Sequence, residues 1–294
     1  MCLSKTMKLA EYNKIVECLE TVHCDGTKES LALVQQQFPS VSHHTLISIY
    51  SQRVQVKTKG HHSQHTSPGA VEHYYAKYRK RVSDPLYKWG TILVGLASEI
   101  DFSPALLARI VLERHLFYTS GDEAPVPKSR VTKLFREPHL IQDPVLSLEV
   151  QQCVLLDSSY GPVVESIKHS IGVELEVHLK KTLQDHGLAF IGEEEMRKKG
   201  YDKTPDVKLQ VPIAVGGRVV NWMESKASFG DRHSHENYMR DQFWSYVNRF
   251  GSGLVIYWFG FIEELATSSE QGIIVADDFP KHFTNLIPEL ECAK

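Results

Sequence analysis

The feature that most constrains this chain is Thr204 to Lys226, where two alternating apolar runs meet at Gly216-Gly217. Alternation with a period of two is a strand signal, and a Gly pair between such runs is a hairpin signal, because glycine takes positive φ without steric cost. The hairpin carries Pro205-Asp206 where the first run opens and Glu224-Ser225-Lys226 where the second closes. Glu224 and Lys226 are two apart, so strand alternation points both to one face and Ser225 to the other. Two carboxylates supply hard oxygen ligands of the kind Mg²⁺ takes. An ammonium beside them can hold an attacking water or screen a phosphate.

Register decides whether these residues meet. A two-residue Gly216-Gly217 turn pairs Val215 with Arg218 and leaves Asp206 on the face opposite Glu224 and Lys226. A three-residue loop, Val215-Gly216-Gly217, instead sets Asp206 opposite Lys226 and Lys208 opposite Glu224, with Gln210 and Trp222 on the same face. It gathers Val207, Leu209, Val211, Ile213, Val219 and Met223 on the other face. A one-residue slip moves every side chain across the sheet, so the odd loop is predicted, with Gly217 at positive φ. Pro212 then needs an edge position or a local break.

The rest of the chain bounds the context. With 294 residues, 42% of them apolar and 23% charged, it can form two domains of about 150 residues. A net charge of −3 restricts any nucleic-acid surface to a local patch. Cys2, Cys18, Cys24, Cys153 and Cys292 include no C-x-x-C pair, which argues against a disulfide framework or zinc knuckle and for a reducing compartment. No apolar run approaches the ~20 residues of a membrane span, and MCLSKTMKLAEY lacks a signal-peptide core, so an intracellular protein without a membrane partner is expected.

Residues 1–157 read as helical, with two helix-turn-helix-like modules. The first comprises Met7 to Cys18, Lys28 to Phe38 and His43 to Val56. Arg53 and Lys57 near its end suit a helix meeting phosphates, or one that is basic for solubility alone. Gly60 to Gly69 reads as a linker; its His61, His62 and His65 are of a type that can bind a metal, but with no acidic or Cys partner nearby a solvated loop is the favoured reading. Val71 to Val82 mixes Tyr74, Tyr75 and Tyr78 with Lys77, Arg79, Lys80 and Arg81. That suits a nucleic-acid surface, and equally a helix with buried tyrosines and solvated lysines. A second module spans Leu86 to Ile100 and Ala105 to Phe117, with Ser103 as cap and Pro104 at the first helical position. Ser129 to Phe135 and Val145 to Leu156 complete this half.

Residues 158–294 change pattern. A helix from Pro162 ends at a Gly187 cap, and Gly172 is a point where it can kink or divide. A short strand at Ala189 to Ile191, a turn of helix at Glu193 to Lys199 and the hairpin follow. Then come a helix at Glu236 to Phe250, a buried strand at Leu254 to Phe259, an edge strand at Ile273 to Val275 and a terminal helix at Phe279 to Leu290. Gln242 and Tyr246 stand at i and i+4 on one helical face.

Helix, short strand, hairpin, helix and buried strand, with PD and E-x-K on the hairpin, resemble the PD-(D/E)xK, restriction-endonuclease-like superfamily. The expected fold class is therefore α+β: all-helical modules followed by an α/β nuclease domain. The resemblance implies that Asp206, Glu224 and the Ser225 carbonyl hold Mg²⁺, for which Mn²⁺ can substitute. A carboxylate of the preceding helix, Glu176 or alternatively Glu174, completes the site, and Lys226 orients water and phosphate. Gln242 and Tyr246 resemble the Q-x-x-x-Y element of RecB-type members, in which the Gln fixes the active site and the Tyr lies beside nucleic acid. YGP, YDKTPD, VNWMESKASFGD and DQFWSYVNRFGSGLVIYW further resemble the animal family of codanin-interacting nucleases, over nearly the whole chain. This likeness implies a Mg²⁺-dependent phosphodiester hydrolase acting on nucleic acid, DNA in the first instance, with codanin as partner, in nucleus and cytoplasm. Arg53, Lys57, Lys77, Arg79 and Lys80 are the candidate phosphate contacts. The rival reading is a catalytically silent nuclease fold kept as an adaptor for a protein or DNA.

Overall fold

The structure is a computed structural model, and it describes residues 5–21, 27–121, 125–267 and 272–286. In chain order the helices α1 (Leu9–Thr21), α2 (Thr27–Gln37), α3 (His43–His65), α4 (Pro68–Val82), α5 (Ile92–Glu99), α6 (Pro104–Ser120), α7 (Lys128–Arg136), α8 (Pro144–Leu156) and α9 (Pro162–Asp185) come first. There follow β1 (Phe190–Gly192), α10 (Glu193–Lys198), β2 (Val207–Val215) and β3 (Arg218–Lys226). The chain continues with α11 (Arg232–Tyr238), a π-helical turn (Met239–Phe243), α12 (Trp244–Phe250), β4 (Gly253–Tyr257), α13 (Glu264–Thr267), β5 (Ile273–Ala276) and β6 (Thr284–Asn285). The class is α+β, as expected. No helix among the described residues is long and apolar enough to cross a membrane.

Two compact units form: Arg53–His169, and Met1–Gln52 together with Ser170–Lys294. The first 52 residues thus group with the sheet, whereas a boundary at 157 was expected. The reason is a shared core: Ile15, Val34, Leu46 and Ile49 of α1–α3 pack with Trp222, Phe229, Phe243, Val255 and Tyr257. Helical periodicity marks an apolar face but not what covers it.

In this sheet unit the strand order is β1-β2-β3-β4-β5, with β6 also pairing with β2. β2 is antiparallel to β1, β3 and β6, while β3, β4 and β5 run parallel. β4 is buried throughout. Its Leu254 and Ile256 face a second core with Leu179 and Leu183 of α9, and its Val255 and Tyr257 face the core of α1–α3. A strand covered on both faces needs a continuous apolar run, and each such side chain contributes roughly 1.5–3 kcal/mol on burial. α9 runs unbroken through Gly172. It ends where Gly187 takes φ 68°, letting Leu188 N–H donate to Leu183 O at 2.9 Å.

The other unit packs α4, α5, α6 and α8 around Tyr78, Leu93, Leu96, Leu107, Val111, Leu112, Leu146 and Val150. Ser103 caps α6 ahead of Pro104, as predicted. Three sequence expectations are corrected. The 60–69 linker is helical to His65, and the helix end is fixed because buried His65 stacks on Phe102 at 4.1 Å and bonds the Tyr74 hydroxyl at 2.8 Å. Ser67 then caps α4. The helix expected from Leu86 starts only at Ile92, because buried Glu149 accepts from Gly90 N and Leu93 N, while Gly90 turns the chain at φ 89°. No helix forms over Phe279–Leu286: Phe279 and Phe283 pack on the His186 ring, and Thr284–Asn285 pair with β2. The remainder of that expected helix, 287–290, lies outside the described residues.

Candidate active site

The hairpin reaches its geometry by a different route from the one predicted. Val215 pairs with Arg218, Ala214 with Val219 and Ile213 with Val220. Gly216 and Gly217 have φ of 55° and 75°, the signature of a two-residue type I′ turn, so the three-residue loop does not form. Pairing lapses and then resumes at Lys208 with Trp222 and Val207 with Met223. Leu209 to Pro212 therefore stand against Asn221 alone. The excess on β2 is odd, so one strand exchanges faces relative to the other. The apolar face runs Val207, Leu209, Ile213 on β2 but steps from Val220 to Met223 on β3. Val211 and Val219, expected on that face, are 41% and 42% exposed. Pro212 lies in the lapse, where its missing N–H forfeits no ladder bond. Asn221 turns both its backbone N–H and its side-chain amide to Ser252 O, at 2.9 and 3.0 Å.

The irregular stretch brings Asp206 to the end of β3. Ser225 N–H donates to Asp206 Oδ2 at 2.7 Å, and Asp206 N–H donates to Glu224 Oε2 at 3.2 Å. Lys226 Nζ donates to Glu224 Oε1 at 2.6 Å and to Gln242 Oε1 at 2.8 Å. Asp206, Glu224, Lys226 and Gln242 thus form one bonded chain. Ser225 N–H points to Asp206 while Lys226 O accepts from Trp258 N on the β4 side. The Ser225 carbonyl, on the same strand edge as its N–H, therefore faces Asp206. The Ser225 hydroxyl points to the opposite face, where Trp258 Nε1 donates to it at 2.7 Å.

Electrostatics make this a strained set. Burial first, and then the neighbouring Glu224 charge, push the Asp206 carboxyl well above the usual carboxylate range; Glu176 adds to the rise. Burial also raises Glu224, which is 4% exposed, and Lys226 offsets part of the effect. For Lys226 burial pulls downward, but the Glu224 carboxylate prevails and the ammonium is held above its ordinary value. Two close carboxylates that resist ionising together are relieved by a cation. Among the described residues no three His, Cys, Asp or Glu side chains form a ready-made metal cage. The donors able to hold a divalent cation are two carboxylates and a carbonyl, a set that suits an ion keeping several waters.

Glu176 sits half-buried on α9, paired with Lys180, and its charge acts on Asp206; Glu174 is exposed. Gln242 lies in the π-helical turn rather than in a regular helix. Tyr246 is near the site but 5% exposed, its ring edge-on to Trp222 at 5.3 Å. It is close enough to feel the Glu224 and Asp206 charges and belongs to the wall of the site, at the position that the Q-x-x-x-Y resemblance sets beside nucleic acid. Sequence reasoning missed Tyr238, whose ring lies 4.6 Å from Lys226 Nζ. Its spacing of four from Gln242 was the available signal. Arg53, Lys57, Lys77, Arg79 and Lys80 belong to the other unit. Lys57 is paired with Asp101, Lys77 is half-buried, and Arg79 and Lys80 are exposed. Tyr74 and Tyr78 of the same helix are buried, which favours the inward-packing reading of its tyrosines.

The family described as "Protein of unknown function TPD sequence-motif" matches residues 142–279, a span that includes Thr204-Pro205-Asp206. No solved structure matches the chain. The chain is 49% identical over 287 residues to CDAN1-interacting nuclease 1 of Xenopus tropicalis, covering 97% of this chain and 91% of the frog protein. It is 47% identical over 279 residues to the Homo sapiens protein of the same name, covering 94% and 96%. With the Gallus gallus protein, also CDAN1-interacting nuclease 1, it is 44% identical over 282 residues, covering 95% and 97%. Likeness of this degree over nearly the full length of each protein means that the chain belongs to the CDAN1-interacting nuclease 1 family.

Proposed function

We propose that this chain is a metal-dependent nuclease of the PD-(D/E)xK type that hydrolyses phosphodiester bonds and works with CDAN1 (codanin), the partner for which its relatives are named. The observation that carries the reading is the bonded set Asp206, Glu224, Lys226 and Gln242 at the end of an irregular hairpin. A carboxylate pair held close at a cost to its own ionisation is hard to explain as packing alone. The order of helix, strand, hairpin, helix and buried strand supports a restriction-endonuclease-like core.

Asp206, Glu224 and the Ser225 carbonyl would hold Mg²⁺ or Mn²⁺, with Glu176 reaching the ion directly or through water. When bound, the ion offsets charge growing on the phosphate oxygens and acidifies water near neutral pH. Lys226 is fixed between Glu224 and Gln242 and orients the attacking water against the scissile phosphate. Gln242 spends its oxygen on Lys226, which leaves its amide N–H groups to donate to a phosphate oxygen. Tyr246, in the wall of the site, lies beside the bound strand. In the other unit, Arg53, Lys57, Lys77, Arg79 and Lys80 are the phosphate contacts, with Lys57 weakened by its Asp101 partner. The helices of the first 157 residues serve as helix-turn-helix-like presenters of nucleic acid, and the protein acts in nucleus and cytoplasm.

The test is a panel of labelled DNA and RNA structures incubated with protein and Mg²⁺, beside Asp206→Asn. Cleavage by the parent alone supports the reading. Absence of cleavage and of metal binding at saturating Mg²⁺ or Mn²⁺ would leave the adaptor in its place.

A further inference from the structure

The segment between α4 and α5 puts large apolar side chains into solvent: Leu86 is 88%, Trp89 61% and Tyr87 40% exposed. Its backbone is nevertheless fixed. Asp84 Oδ1 accepts from Leu86 N at 2.9 Å and Asp84 O from Tyr87 N at 3.1 Å. The Arg81 guanidinium lies 4.9 Å over the Tyr87 ring and pairs with both Glu99 oxygens at 2.6 and 2.7 Å. At the far end, Glu149 grips Gly90 N at 2.5 Å. Aromatic surface on a pinned loop binds without a large ordering cost, and exposed tryptophan on such a loop marks a contact site. A cavity of about 510 Å³ opens between Pro85, Tyr87, Lys88 and Trp89.

Charge indicates what the loop meets. Arg79, Lys80 and Lys88 are exposed, and none of them is paired with a carboxylate among the described residues. Arg81 is neutralised by Glu99, and Asp84 spends an oxygen on the loop backbone. The ligand should therefore be anionic and carry flat apolar faces. We propose that this loop binds single-stranded nucleic acid, with unpaired bases stacking on Trp89 and Tyr87 and phosphates meeting Arg79, Lys80 and Lys88. In a duplex the base faces are covered by their neighbours, so a stacking platform selects unpaired strand. The proposal rests on the reading of the chain as acting on nucleic acid, and it adds the class of strand and the aromatic residues that hold it.

The experiment is an anisotropy titration of labelled single-stranded and duplex oligonucleotides with the full chain carrying Asp206→Asn, in EDTA, so that nothing is cut. Adding Trp89→Ala should weaken single-strand binding about 5- to 150-fold and change duplex binding little, while Trp89→Phe should recover most of the loss. Lys80→Gln and Lys88→Gln should each flatten the salt slope by about 0.7. Unchanged single-strand binding in Trp89→Ala, or equal loss on duplex, would overturn the proposal. So would displacement of the strand by an acidic peptide whose own affinity falls in Trp89→Ala, which would make this a protein-docking loop. Failure of the parent to cut in Mg²⁺ while it still binds strand through Trp89 would overturn the nuclease reading and leave the platform standing.

Discussion

Asp206→Asn should make the metal-free protein more stable while removing its activity. Burial and the Glu224 charge hold the Asp206 carboxyl well above its ordinary range. The native state therefore takes up a proton at higher pH than the unfolded chain does. Above the folded pKa, where both states are ionised, the fold carries the charge at a loss of about 1.4 kcal/mol for every unit of elevation. That loss disappears as the pH falls through the folded pKa toward the unfolded value near 4. Asparagine removes the charge but weakens the 2.7 Å bond from Ser225 N–H, since a charge-assisted bond exceeds a neutral one by about 1 kcal/mol. The variant is therefore the more stable wherever the charge penalty exceeds that ~1 kcal/mol, and each net kcal/mol should raise Tm by a few degrees in a chain of this size.

Thermal unfolding in EDTA at neutral pH reads the gain, and the gap should narrow as the pH is lowered toward the unfolded value near 4 and the parent protonates. Mg²⁺ should then reverse the order, because an ion bound only to the native parent adds about 2.7 kcal/mol at a hundred times its Kd. A variant less stable than the parent in EDTA at neutral pH, or an equal response of both to Mg²⁺, would refute the reasoning.

Lys226→Ala strips a 4%-exposed Glu224 of its counter-ion. It should cost about 3–5 kcal/mol in denaturant unfolding and abolish cleavage, with metal binding retained by calorimetry. Gly253→Ala would put a Cβ 2.1 Å from the Trp222 ring, so the loss should meet or exceed the ~1–3 kcal/mol usual for overpacking and appear as a lowered Tm. Burial holds His235 below its ordinary pKa, so its contribution is full above about pH 6.5 and is lost as pH falls toward the folded value. In His235→Gln the denaturant midpoint should fall less steeply over that window. Neutralising Arg53, Lys57, Lys77, Arg79 and Lys80 together should flatten the salt dependence of binding by about 0.7 units of slope on single strand, or about 0.9 on duplex, for each cation that had met a phosphate. An unchanged slope would assign them to solubility.

What could be read from the sequence was what neighbours in the chain decide. The β4 run and the Ser103-Pro104 cap are local signals, and each formed where local rules put it. The end of α3 depends on Phe102 as well as Tyr74, the start of α5 on Glu149, and the placement of α1–α3 on Trp222 and Tyr257; apart from Tyr74, nine residues from His65, none of these lies within reach of a periodicity window. The hairpin separates the two kinds of information. Alternation required that Asp206 share a side with Glu224 and Lys226, and so required one odd step somewhere between the two strand ends. It could not say where. Glycine at both turn positions favours the even I′ turn, whose twist matches the strands, so the odd step had to move into the strands. It settled opposite Asn221, which turns away to Ser252, beside Pro212, which has no N–H to lose. A strand defect that would ordinarily weaken a sheet thus serves as the device that carries Asp206 to the carboxylate and ammonium of β3.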